Sequence, residues 1–202
     1  MAYIEASERS RLSVAAARAV MARDGVAATT VRAVAAEAGV PLGTLQYVFP
    51  TKELLLKAVI EDVVDEIAAL LAASLPTEGG LARAIREGME AFWATLVTDQ
   101  VQLQIMQGEL LNYSLRKTGH EHLAQWQYDR YRTVLADWCE RAATAAGETT
   151  AIPFDRLARV LLAGVDGLIL QYVCEPDDQR AGEDLALVVA MVVDAARIEP
   201  GR

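Results

Sequence analysis

The side chains best suited to directed chemistry are concentrated in one stretch, VAATTVRAVAAEAGVPLGTLQYVFPTKELLLKAVI, from Val26 to Ile60. Gln46 can form a bidentate pair with adenine, and Leu42 can touch a thymine methyl. Thr44 can bond to a base or a phosphate, and Arg32 can reach a guanine edge or a phosphate, with a surface ion pair as its other reading. Tyr47 is suited to phosphate, while Gly43 lets the backbone come close to a duplex. Thr30 and Lys52 stand at two expected helix starts, where free amides and the positive end of the helix dipole favour an anion. These groups offer contacts to nucleic acid; none forms a catalytic set.

The elements that must position them can be read from periodicity. Apolar residues recur at three- and four-residue spacing almost throughout, and alternating β-branched runs are scarce, so the fold class is all-α, with about nine helices. Gly and Pro punctuate the chain at Gly25, Gly39, Pro41, Pro50, Pro76 to Gly80, Gly119, Gly147 to Pro153 and Pro176. The first helix is predicted over 7–23, closed by Asp24-Gly25. A second runs from a Thr29-Thr30 cap to Gly39, a third from Pro41 to Val48, and a fourth from Thr51 to about Ser74. Later helices are expected over about 80–98, 101–117, 121–146, 154–174 and 178–197. Two short helices across a glycine turn form a helix-turn-helix, whose second member fits a major groove about 12 Å wide. Ala35, Ala38, Val40, Leu45 and Phe49 have the size and spacing to pack it.

The wording of this segment, G-x-x-x-T-T, A-A-x-A-G-V, G-T-L and F-P-x-K-E-L, resembles the TetR family of one-component bacterial transcription regulators. The motif match spans roughly residues 9–59, and the remaining helix count and length resemble that family's ligand-binding and dimerisation domain. The resemblance implies three parts: a DNA-binding domain over 1–50, a linking helix over 51–74 and a ligand-binding and dimerisation domain over 75–202. It implies a homodimer on a near-palindromic double-stranded operator, its recognition helices roughly 34–36 Å apart. It further implies repression relieved by a small-molecule effector, through a tilt of the fourth helix that moves the third. The family often carries a polar or cationic residue at position 42, tyrosine at 46 and an aromatic or histidine at 48. Leu42, Gln46 and Val48 stand there instead, so affinity is expected to lean on Arg32, Lys52, Tyr47 and backbone amides.

For the effector, aromatic and polarizable residues cluster beyond residue 78: Phe92, Trp93, Met106, Tyr113, Trp126, Tyr128, Tyr131, Trp138 and Tyr172. Glu109, Asn112 and Asp166 are candidate polar groups among them, as is Gln107. Trp126, Arg130, Val134 and Trp138 share one helical face, which is also the pattern of ordinary packing. Asp166 lies in an apolar helix between Gly164 and Gly167; its readings are an interface or pocket residue, a helix-end turn, or a solvent-facing position. The last two helices are apolar on more than one face, the pattern of a four-helix dimer interface through Leu161, Val165, Leu168, Tyr172, Val188 and Val192, or of a monomer core.

The charge is −9, from 19 Lys and Arg against 28 Asp and Glu. Up to Ile60 there are seven cations and five anions, a net of +2; beyond it, twelve and 23, a net of −11. A DNA contact is therefore expected from the head alone. Cys139 and Cys174 are too few and too far apart for a disulfide framework and lack CxxC spacing. His120 and His122 flank Glu121, yet do not share a helical face, so no metal is expected. No GxxxxGK[ST], GxSxG, HExxH or paired ExxH motif occurs, so neither an enzyme nor a cofactor is expected. No run approaches the ~18–20 apolar residues of a membrane span and no signal-peptide pattern opens the chain, which predicts a cytoplasmic protein with no membrane partner. The readings left beside the repressor are an activator of the same fold, a helical enzyme and a protein-interaction module.

Overall fold

The computed structural model describes residues 6–73, 79–119 and 121–201. Among them are nine α-helices: α1 (Ala6–Asp24), α2 (Val31–Glu37), α3 (Leu42–Val48), α4 (Lys52–Ala73), α5 (Gly80–Phe92), α6 (Val101–Arg116), α7 (Glu121–Ala146), α8 (Phe154–Cys174) and α9 (Asp178–Ala196). A two-residue antiparallel pair joins β1 (Glu148–Thr149) to β2 (Glu199–Pro200), with Glu148 opposite Pro200. The all-α expectation holds, and helix boundaries fall close to the Gly and Pro positions. One difference is internal: the helix predicted over 80–98 ends at Phe92 and continues as a π-helix, Trp93–Thr98. The expected end of the fourth helix, Ser74, lies outside the described residues.

The chain divides into two compact units, Met1–Val63 with Ile105–Gln127, and Val64–Gln104 with Tyr128–Arg202. The division falls inside α4, α6 and α7, so part of what the sequence assigns to the helical body packs with the N-terminal unit.

In that first unit α1, α2 and α3 close over Val14, Val20, Met21, Val34, Ala35, Leu45 and Phe49, all buried, with Leu55, Leu56 and Val59 of α4. Ala38 and Val40 are half-buried. Thr30 caps α2, its Oγ1 accepting from Ala33 N at 3.1 Å, and Thr29 Oγ1 donates to the Gly25 carbonyl at 2.8 Å. Ion pairs tie α1 outward, Arg23 to Glu37 at 2.8 Å and Arg18 to Asp62 of α4 at 2.6 Å.

In the second unit a core of Leu81, Ile85, Met89, Trp93, Trp138, Cys139, Leu157, Leu161, Val165, Tyr172, Leu185, Val189 and Val192 joins α5, α7, α8 and α9. Contact of α8 with α9 is close because Gly164 makes room: a Cβ there would stand 2.5 Å from Val188 Cγ1. Contrary to the sequence expectation, α8 is 21 residues of length and composition sufficient to cross a membrane. The cause is that it carries two apolar faces. Leu157, Ala158, Leu161, Val165 and Tyr172 face the core, while Val160, Ala163, Gly167 and Leu170 form an exposed stripe.

Candidate nucleic-acid interface and effector residues

Helix α3 owes its position to Leu45, fully buried, and to Phe49, buried at its end. With that face pinned, Gly43, Gln46 and Tyr47 are exposed and Leu42 and Thr44 half-exposed; Tyr47 stands 89% exposed. Arg32 is exposed in the first turn of α2 and has no ion-pair partner among the described residues. Thr30 keeps its amide-capping place and an exposed side chain. These seven residues present one set of donors, acceptors and apolar contacts at the outer side of the helix-turn-helix.

Lys52 is a correction. Its ammonium does not point outward: Nζ donates to the carbonyls of Val26 at 2.8 Å and Ala27 at 3.2 Å and lies 4.6 Å from the centre of the Tyr113 ring. Burial, and then the charge of Lys117, hold its pKa below the ordinary lysine value. The physical reason is the unfilled carbonyls of the loop between α1 and α2, which a long cation at the start of α4 can reach. From the other side, Glu109 of α6 accepts from Val26 N at 2.9 Å. Buried Val26 is thus held at its N–H by a carboxylate and at its carbonyl by an ammonium. Gly25, at φ +82°, completes the turn, and a Cβ there would lie 3.2 Å from Glu109 Oε2. Nothing in the local sequence signals this clasp, because its partners come from positions 26, 52 and 109.

The residues expected around an effector are divided between the units. Met106, Glu109, Asn112, Tyr113 and Trp126 belong to the first. There Met106 is buried, Glu109 serves the clasp, Asn112 Nδ2 donates to Gly108 of its own helix at 2.9 Å, and Tyr113 lies beneath Lys52. Trp126 takes the ammonium of Lys57 at 5.2 Å from its ring centre. Phe92, Trp93, Tyr131 and Asp166 belong to the second. Phe92 packs against the core and Trp93 sits in it, its ring edge-on to Tyr172 with centroids 5.7 Å apart.

Asp166 is half-buried on α8, and its Oδ2 accepts from Tyr128 Oη at 2.9 Å. Tyr131 lies edge-on to Tyr128 with centroids 6.2 Å apart. Burial pushes the Asp166 carboxyl above the ordinary aspartate range, and the Tyr128 hydrogen bond pulls it partly back. The Tyr128 hydroxyl is raised by burial and by the neighbouring Asp166 charge. A carboxylate kept from water with one donor and aromatic neighbours is chemically fitted to an organic cation.

The residues proposed for a dimer interface also need correction. Leu161, Val165, Tyr172 and Val192 lie in the chain's own core. Leu168 and Val188 pack against that core, Val188 into the space left by Gly164. The outward apolar positions are their neighbours: Val160 and Leu170 on α8, Leu187 and Met191 on α9. At the candidate metal pair, His122 Nε2 lies 2.9 Å from Glu53 Oε1, and His120 lies outside the described residues. Among the described residues no group of three metal-ligating side chains occurs.

The family described as bacterial regulatory proteins, tetR family, matches residues 14–59, and that described as BetI-type transcriptional repressor, C-terminal, matches residues 82–196. The chain is 26% identical over 177 residues to the HTH-type nicotine-responsive transcriptional repressor HdnoR of Paenarthrobacter nicotinovorans, covering 88% of this chain and 90% of that protein. Its fold is similar to that of a TetR-family transcriptional regulator from Rhodococcus sp., with TM-score 0.77 at 18% identity over 94% of this chain and 99% of that one. It is also similar to the multidrug binding protein EbrR complexed with ethidium, with TM-score 0.63 at 26% identity over 90% and 98% of the two chains.

Proposed function

This chain belongs to the TetR family of bacterial regulatory proteins, and on that premise we propose that it represses transcription as a homodimer, releasing its operator when a small effector binds. The observation that carries the reading is the exposed face of α3 and the start of α2. Gln46, Thr44 and Leu42 are suited to base edges, Tyr47, Thr30 and Arg32 to phosphates, and Gly43 to close approach. Lys52 positions the loop ahead of α2 and leaves the phosphates to the others.

The dimer forms through the outward stripe of Val160, Ala163, Gly167 and Leu170 on α8 with Leu187 and Met191 on α9. Apolar side chains of that size, set at helical spacing on two neighbouring helices, bury best against a second copy of the same pair. Such a dimer presents two α3 helices to successive major grooves.

The effector is an organic nitrogen compound that carries positive charge, held by Asp166 with Tyr128 and Tyr131. Two similar proteins support that class, since their names specify nicotine and ethidium, both nitrogenous aromatic compounds. Release follows when the effector favours a conformer with altered α4 and α6, because each begins in one compact unit and ends in the other. The Glu109–Val26 hydrogen bond gives α6 a direct hold on the loop before α2.

Mobility-shift titrations with DNA from the gene's own neighbourhood, over a salt series, test this reading. Gln46→Ala should relax preference at one base pair of the operator, whereas Arg32→Ala should flatten the salt slope. Sequence-independent binding by the wild-type chain, or an effector that leaves operator affinity unchanged, would exclude ligand-responsive repression.

A further inference from the structure

A cavity of about 340 Å³ lies between α5 with its π-helical continuation and α9. Its floor is apolar: Trp93, Leu185 and Val189 are buried there, and small residues, Ala94, Gly182 and Ala186, leave the space open. Its polar lining is Arg86, Glu90, Thr98, Asp99 and Asp178. Three carboxylates face one guanidinium, so the rim is acidic. Neither Arg86, Glu90 nor Asp99 has an ion-pair partner among the described residues. Asp178 Oδ1 accepts from Tyr172 Oη at 2.6 Å, which fixes its carboxylate at the cavity edge.

The π-helix assembles this rim. Its wide turn spaces hydrogen bonds at five residues instead of four, so Thr98 stands one turn beyond Trp93 on the face that Arg86 and Glu90 already occupy. In a continuous α-helix that place would fall to Val97, which instead is buried. Such turns are rare and recur at functional sites. The floor offers an aromatic ring: Trp93 is 5% exposed, and its ring stands edge-on to Tyr172.

We propose that this cavity is a binding site for small aromatic amines, distinct from the Asp166 position and independent of whether Asp166 holds the effector. The aromatic body lies over Trp93 between Leu185 and Val189, and the ammonium sits among Asp99, Asp178 and Glu90. Charge selects the ligand, because three carboxylates repel an anionic molecule of the same shape and give a neutral one no charge pairing.

Titration calorimetry of the full chain with three probes of one shape tests this: 2-phenylethylammonium, 2-phenylethanol and phenylacetate. The ammonium should bind at least about tenfold more tightly than the alcohol, and phenylacetate should not bind. Asp99→Asn should weaken the ammonium severalfold, and Ala186→Phe, which fills the cavity from an exposed position, should abolish it. The titrations are repeated in an Asp166→Asn chain, where the effector position has lost its charge, so the ammonium binding that remains there reports this cavity alone. Because Trp93 forms the floor, quenching of tryptophan fluorescence by the ammonium should disappear in Trp93→Phe. Equal affinity for all three probes, no binding at millimolar concentration, or binding that survives Ala186→Phe and is lost in Asp166→Asn would each overturn the proposal.

Discussion

Lys52→Met separates two roles that a cation at the start of α4 can play. Methionine keeps an unbranched apolar stem of similar reach beside Tyr113 but removes the ammonium. Two hydrogen bonds are lost, to Val26 O at 2.8 Å and Ala27 O at 3.2 Å. Ala27 is exposed, so water can replace the second. Val26 is 0% exposed, and its carbonyl loses a charge-assisted bond, about 1.5–3 kcal/mol. The partly exposed contact with the Tyr113 ring adds about 0.5–1 kcal/mol. Together they give about 2–4 kcal/mol, or roughly 4–16 °C in melting temperature for a chain of this length. Calorimetric melting of wild type and variant measures that, and operator titrations over a salt series measure the rest. Since Lys52 spends its donors internally, the slope of log K against log salt should be unchanged even if affinity falls. If Lys52 instead neutralised one phosphate per subunit, the slope would become shallower by about 1.8 per dimer. That shift with an unaltered melting temperature would refute the inward assignment.

Other predictions address separate parts of the molecule. Leu170→Asp combined with Met191→Asp places charges on positions 66% and 63% exposed, so the chain should stay folded yet run as a monomer in light-scattering chromatography; a persistent dimer would exclude this face. Asp166→Asn should not destabilise the ligand-free protein at neutral pH, since it removes a half-buried charge and keeps an acceptor for Tyr128. The folded-state pKa of Asp166 is raised, so the folded chain binds more protons than the unfolded one between pH 3.8 and that raised value. Its contribution to stability therefore falls as pH rises through this window, and the wild-type minus Asp166→Asn difference in unfolding free energy should show that slope. Burial pushes the Cys139 thiol up to about 12, so it should resist a thiol reagent until the protein unfolds; rapid modification of Cys139 in a Cys174→Ser chain would contradict its packing.

The helix-turn-helix was legible because its determinants are local. Gly25, Thr30, Gly39, Pro41 and Pro50 act on the backbone within a residue or two, and a short helix with Leu45 buried must turn Gln46 and Tyr47 outward. For the same reason helix ends were read closely along most of the chain. The π-helix was not legible, because an α and a π turn accept the same residues and only packing around Trp93 and Thr98 distinguishes them. On α8 and α9 the apolar excess points to two faces, and Leu161, Val165 and Val192 lie on the one that the chain covers itself. Periodicity identifies faces without saying which of them the chain covers itself.

What the sequence determined alone, then, was the class of fold, the reading helix and the residues on its open side, because each follows from backbone preference and helical period. Tertiary structure decided where long side chains end. It turned Lys52 toward Val26, brought Glu109 to the same residue across 83 positions of sequence, and set Tyr128 on Asp166 across 38. A flexible charged side chain can satisfy itself with any partner within reach, and distances between partners so remote along the chain exist only once the helices have packed.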